Sequence, residues 1–167
     1  MGNRSNRDAS AKRIRILIVD DHAVVRQGLS KLVEGECDLT VSAEAENAVQ
    51  ALEAVENQQF DLAIVDISLE GTNGLELTAQ MKSRCPSMTV LILSIYDGFL
   101  YAQRALKAGA AGYVAKYEAP EKIISAIHQV LGGKVYVSSS KAAKATHGVA
   151  SIADDDLNRR VGYAHHI

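Results

Sequence analysis

Three carboxylates, one hydroxyl and one ammonium each stand directly after a run of apolar residues. "RILIVDD" closes on Asp20 and Asp21, "LAIVD" on Asp66, "VLILS" on Ser94 and "GYVAK" on Lys116. Carboxylates brought together repel: a pair about 4 Å apart costs roughly 4 kcal/mol at an effective dielectric of about 20. A cluster of three takes up protons or holds a cation, and Lys116 neutralises only part of the charge. A hard divalent ion fits the remainder. Mg2+ needs only one or two carboxylates, keeps several waters and binds phosphate oxygens. The pattern therefore points to phosphoryl chemistry, with an aspartate as nucleophile forming an aspartyl phosphate. Metal, Lys116 and Ser94 would share the phosphoryl oxygens. Each residue also has a plainer reading. Asp20 or Asp21 can cap the next helix, Asp66 and Lys116 can form a buried ion pair, and Ser94 can cap a helix over 97–108. None of these accounts for all four strand ends at once.

Chemistry at one rim requires elements that deliver every group there. "RIRILIVDDHAVV" is continuous and β-branched, the pattern of a strand buried on both faces. Comparable runs fall at 14–19, 39–43, 62–67, 89–95 and 112–115. Between them, apolar residues recur at helical spacing. One face carries Val25, Leu29, Leu32 and Val33; the next carries Ala48, Ala51, Leu52 and Val55. Leu77 with Met81, then Ala102, Ala105 and Leu106, mark two more. Ile123, Ile124, Ile127, Val130 and Leu131 form the last stripe, with Pro120 near its start and Gly132-Gly133 past its end. Five strands alternating with five helices predict a parallel α/β sheet with right-handed crossovers. Ligands of such sheets bind at the carboxyl ends of the strands, where all the polar residues above are placed.

The chain has 167 residues and a net charge of −2, which suits one domain plus a tail and implies neither an acidic nor a basic partner. Cys37 and Cys85 form no metal-binding or disulfide pattern. No secretory signal and no apolar stretch of about 18 residues is present, so a cytoplasmic location without membrane contact is expected. Residues 1–12 are polar and basic and read as a disordered arm. Residues 13–133 form the domain. Residues 134–167 read as a linker and a truncated or disordered tail, opening on a short strand-like piece at 134–137.

"IVDDH", "IVDISLEGTNGLEL", "LILSIYD" and "GYVAK", in this order and spacing, resemble the receiver domain of bacterial two-component response regulators. "YAQRALKAGAAGYVAK" and "GGKVYVS" are most similar to the NarL/FixJ-type (LuxR-type) subgroup, where a linker leads to a helix-turn-helix effector domain. The resemblance implies a flavodoxin-like (CheY-like), doubly wound five-stranded parallel sheet of order 2-1-3-4-5, helices on both faces. It implies Asp66 as phosphoacceptor, with Asp21, Asp66 and the backbone carbonyl of Ser68 as direct ligands of Mg2+ (or Mn2+) and Asp20 acting through water. Lys116 would hold a phosphoryl oxygen, and Ser94 with Tyr113 would form the switch pair. A sensor histidine kinase is the implied phosphoryl donor and transcription the implied output. The protein would catalyse only its own phosphorylation and slow dephosphorylation. Tyr96, two residues past Ser94, is placed to shield the phosphoryl group from water. A homodimer is expected through residues 99–108, 112–115 and 121–131, or through helix 24–34 with Ile127 and Val130.

Three features depart from the family pattern. Lys116-Tyr117 replaces a common Lys-Pro with a cis peptide; a non-proline cis bond costs about 3 kcal/mol, so a trans bond is expected. Leu69-Glu70 replaces a common Met-Pro. Residues 134–167 are too few for the effector domain, of which "SIADDDLNRR" reads as the very start. Specific DNA binding by this chain alone is therefore not expected, and Asp154-Asp155-Asp156 would repel phosphates. A receiver-like interaction module working without phosphorylation stays open as an alternative, although it would more often have lost an acidic residue or the lysine. A haloacid-dehalogenase-type phosphatase would carry a second aspartate where Ser68 stands. A flavodoxin-like nucleotide binder would place a Gly/Ser/Thr-rich loop where "DDHAVV" stands.

Overall fold

The structure is a computed structural model that describes residues 12–96 and 98–138; the sequence-based readings of residues 1–11 and 139–167 lie outside it. Five helices and eight strands make up the described chain. The central strands are β1 (Ile14–Val19), β2 (Leu39–Ala45), β3 (Leu62–Asp66), β6 (Thr89–Ser94) and β7 (Gly112–Ala115). All neighbouring pairs run parallel, in the order β2-β1-β3-β6-β7, which is the predicted 2-1-3-4-5. The strand count differs from the prediction. A sixth strand, β8 (Tyr136–Val137), pairs parallel with β7, so the sheet continues past Gly133. Ser138 secures this extension: its Oγ accepts the Ala115 N–H at 2.8 Å, and its N–H donates to the Tyr113 carbonyl at 3.1 Å. A small antiparallel hairpin, β4 (Ser68–Leu69) with β5 (Thr72–Asn73), was also not predicted. Gly71 turns it at φ 80°, a conformation that glycine adopts without a Cβ penalty.

Helices cover both faces because the strands are apolar on both. α1 (Ala23–Glu34) and α5 (Pro120–Leu131) bury Leu29, Val33, Ile123, Ile127 and Val130 against Ile16, Ile18, Ile64 and Leu93. On the opposite face, α2 (Ala48–Asn57), α3 (Gly74–Arg84) and α4 (Phe99–Lys107) bury Ala51, Leu77, Met81, Ala102 and Ala105 against Leu17, Val19, Val65 and Ile92. Successive residues of a strand point to opposite faces, so each strand feeds both cores. Asn47 and Asn73 cap α2 and α3 by accepting the Gln50 and Leu75 N–H groups at 2.9 and 2.8 Å. Pro120 occupies the first turn of α5. Ile127 and Val130 are core residues, 0% and 3% exposed, which removes them from the expected dimer face. No cis peptide bond occurs among the described residues, so Lys116-Tyr117 is trans as expected.

Gly74 opens α3 directly beneath β3. A Cβ there would lie 2.2 Å from the Asp66 carbonyl oxygen and 2.8 Å from the Ile67 Cα, both backbone atoms unable to swing aside. Gly28, in mid-α1, has nothing within 4 Å of its Cβ position. Gly74→Ala is expected to lower unfolding free energy by about 2–3 kcal/mol or more. Gly28→Ala is expected to raise it by about 0.5–1 kcal/mol. Urea denaturation of the two variants beside wild type measures both signs.

Candidate phosphoryl-transfer site

The sheet order brings the ends of β1, β3 and β7 to one rim, and the polar residues that follow meet there. Asp20 and Asp66 are 1% and 2% exposed, and Ser94 is fully buried. Burying two carboxylates requires a counter-charge. Lys116 supplies it: Nζ stands 2.9 Å from Asp20 Oδ2 and 3.1 Å from Asp66 Oδ2. The ion-pair reading of Asp66 and Lys116 is thus correct and includes Asp20 as well. Burial by itself lowers the lysine's pKa, but hydrogen bonding and attraction from Asp20 and Asp66 outweigh it, and the net shift is upward from 10.5. Asp66 Oδ1 accepts the Ser68 N–H at 3.1 Å, closing a turn that leads into the hairpin. Asp20 Oδ1 likewise accepts the His22 N–H at 2.8 Å. Neither first-strand aspartate caps α1, whose N-cap residue is His22. Arg26, on the first turn of α1, donates to the Asp20 backbone carbonyl at 2.6 Å. It also lies 3.4 Å from Glu46.

The rim fits a divalent cation. Asp20 Oδ2, Asp21 Oδ1 and Asp66 Oδ2 are buried and take no backbone N–H. Their neighbours are cationic or ring nitrogens: Lys116 for Asp20 and Asp66, and His22 Nδ1 for Asp21. One ligand atom each from Asp20, Asp21, His22 and Asp66 falls within a span of 4.8 Å. Buried carboxylate oxygens that share so few positive partners are the donors a hard cation takes. His22 was absent from the sequence-based site. Its adjacency to Asp20-Asp21 was the available signal.

Ser94 and the two tyrosines are joined by hydrogen bonds. Ser94 Oγ accepts the Tyr96 N–H at 2.9 Å, and the Tyr113 hydroxyl donates to the Tyr96 carbonyl. The Tyr96 ring is 44% exposed and stacks on Tyr101 of α4, with centroids 5.0 Å apart. Tyr113 is 1% exposed, so its ring is already turned inward in this structure. Ser68 is exposed and sits two residues past Asp66, at the start of the hairpin.

The family model for the response regulator receiver domain matches residues 16–128. The chain belongs to that family. The receiver is 33% identical over 144 residues to the transcriptional regulatory protein DegU of Brevibacillus brevis; the match covers 86% of this chain and 59% of that one. It is 34% identical to UhpA of Escherichia coli, over 88% of this chain and 71% of that one. A crystal structure of a LuxR-family two-component response regulator from Aurantimonas superposes with a TM-score of 0.76 at 31% identity, covering 81% of this receiver and 99% of that chain. The receiver therefore spans little more than half the length of DegU. Family membership makes it a regulatory module of two-component systems rather than a classical enzyme. No helix among its described residues is long and apolar enough to cross a membrane.

The raised Lys116 pKa sets a pH dependence. An unfolded chain releases this proton near 10.5 and the folded receiver holds it to higher pH. The stabilisation is complete below 10.5 and is lost as pH climbs through the folded value. Urea denaturation is expected to show wild-type stability falling above pH 10.5, with a smaller fall in Lys116→Met. At pH 7 the same variant is expected to lose about 3–5 kcal/mol, because two buried carboxylates lose their partner.

Proposed function

We propose that Asp66 accepts a phosphoryl group from the phosphohistidine of a sensor kinase, and that the modified receiver controls transcription. The observation that carries this reading is the Lys116 ammonium bridging Asp20 Oδ2 and Asp66 Oδ2, two carboxylates buried together at the strand-end rim. Asp66 Oδ2 is held toward the rim by a cation that can follow phosphoryl oxygens. A carboxylate oxygen of Asp66 attacks phosphorus, the P–N bond to the donor imidazole breaks, and that bond's electron pair leaves with the imidazole. Lys116 shifts from the Asp66 oxygen to a phosphoryl oxygen while keeping Asp20. Ser94 gives up the Tyr96 N–H and donates its hydroxyl proton to a second phosphoryl oxygen. Because Tyr96 also holds the Tyr113 hydroxyl, that exchange reaches β7 and α4. Mg2+ (or Mn2+), when held by Asp21, Asp66 and the Ser68 carbonyl with Asp20 through water, supplies positive charge to the phosphoryl oxygens.

The catalysis is confined to the receiver's own phosphorylation and slow dephosphorylation. Tyr96 shields the phosphoryl group from water, and Ser68 offers no group to orient an attacking one. The output passes through a homodimer or a partner, and DNA is read by a domain other than this receiver. Free Cys37 and Cys85 suit a cytoplasmic setting.

Intact-mass measurement after incubation with acetyl phosphate and Mg2+ tests the reading. Wild type is expected to gain one phosphoryl mass. Asp66→Ala and EDTA-treated protein are expected to gain none, and Tyr96→Ala to lose the group faster than wild type. A mass gain that persists in Asp66→Ala would overturn the assignment, and an unchanged decay in Tyr96→Ala would remove its shielding role.

A further inference from the structure

His22 stands in the site yet has no task in phosphoryl transfer. It is the N-cap of α1, a position where Ser, Thr, Asp or Asn normally satisfies the first turn. Its side chain makes no cap bond. The ring turns back toward the carboxylates instead. Nδ1 lies 2.9 Å from Asp21 Oδ1 and 3.1 Å from Asp20 Oδ1. The His22 N–H, bound to Asp20 Oδ1, anchors the residue in that orientation.

These are hydrogen-bond and ion-pair separations, and they also come close to those of donor atoms around one metal. With bonds of about 2.0–2.2 Å, adjacent ligands lie about 3.0–3.4 Å apart and opposite ones about 4.3 Å. Asp20, Asp21, His22 and Asp66 offer donor atoms within 4.8 Å. Three of the carboxylate oxygens are buried and take no backbone N–H, and among the described residues Lys116 is the ammonium that Asp20 and Asp66 share. A metal therefore finds three carboxylates against one ammonium, with oxygen donors and one nitrogen donor together. His22 is 64% exposed, which leaves its ring room to adjust.

Oxygen ligands alone suit Mg2+, which has little use for imidazole. A nitrogen donor favours later divalent ions, whose affinity for mixed N/O sites rises from Mn2+ through Co2+ to Ni2+. We propose that His22 Nδ1 is a metal ligand that makes this centre select a nitrogen-taking transition metal such as Ni2+ over Mg2+. The proposal rests on the reading that Asp20, Asp21 and Asp66 hold a divalent cation. It adds a specificity-determining residue that competes a second class of metal into the phosphoryl-transfer site.

Calorimetric titration of the full chain with NiCl2 and with MgCl2, without any phosphoryl donor, tests it. Asp21→Asn identifies which binding belongs to this centre, since nickel sites formed by His128, His147, His165 or His166 persist in that variant. For the Asp21-dependent site, His22→Ala is expected to weaken Ni2+ by about tenfold or more and Mg2+ by less than about threefold. The visible absorption of Co2+ bound at this centre is expected to change in His22→Ala, because a nitrogen ligand is lost. Equal weakening of both metals would show that His22 only steadies the aspartates and would overturn the proposal. Unchanged Ni2+ affinity would overturn it too. In both of those cases Mg2+ binding by wild type leaves the phosphoryl-transfer reading standing. Wild type that binds neither metal would overturn both.

Discussion

One ammonium group sets the terms for the rim. Lys116 reaches Asp20 and Asp66 together, and both carboxylates are almost wholly enclosed. Without it, two negative charges would share a low-dielectric space, and one would have to take up a proton. With it, one positive charge stands between the two carboxylates, with Asp21 close by on the same rim. The site is therefore held together and still short of positive charge. On the function proposed above, the cation that accompanies a phosphoryl group would supply the missing positive charge.

The sheet makes that arrangement possible at modest cost. β1, β3 and β7 are separated along the chain by crossover helices, yet their ends lie side by side because parallel strands all finish on one rim. Asp20 and Lys116 are far apart in sequence, and no local preference could join them. Local bonds then adjust each end. The Ser68 N–H orients Asp66, the His22 N–H and the Arg26 guanidinium orient Asp20, and the Ser94 carbonyl accepts the Lys116 N–H at 2.8 Å. The close fit of Gly74 under Asp66 fixes the remaining side of β3.

Much of this was legible before any coordinates. Continuous apolar runs marked the five long strands, and their polar endings marked Asp20, Asp21, Asp66, Ser94 and Lys116, because a doubly buried strand has little other reason to end on charge. What escaped was short or long-range. β4 and β5 have two residues each, too few to show a period of two, whereas β8 falls within the strand-like piece read at 134–137. The His22 ring and the Arg26 guanidinium act backward across a turn, which no periodic pattern reports. Helical spacing flagged Ile127 and Val130 as an apolar stripe, but spacing cannot say whether a stripe meets the protein's own core or a second molecule. Here it meets the core. Tyr113, read with Ser94 as a switch pair, has its ring buried in the unmodified chain.

The alternation of β3 between two cores also governs which length changes the lineage could tolerate. Leu62 and Ile64 face the α1/α5 side, while Ala63 and Val65 face α2 to α4. Inserting one residue within this strand would exchange the two sets and carry the carboxylate of Asp66 to the wrong side of the rim. Only a compensating bulge could absorb it, as the register shift between Ile16 and Leu17 does where β1 meets the outer strand β2. β3 has neighbours on both edges and no such freedom. A one-residue insertion or deletion between Leu62 and Asp66 would therefore disturb both cores and the rim at once.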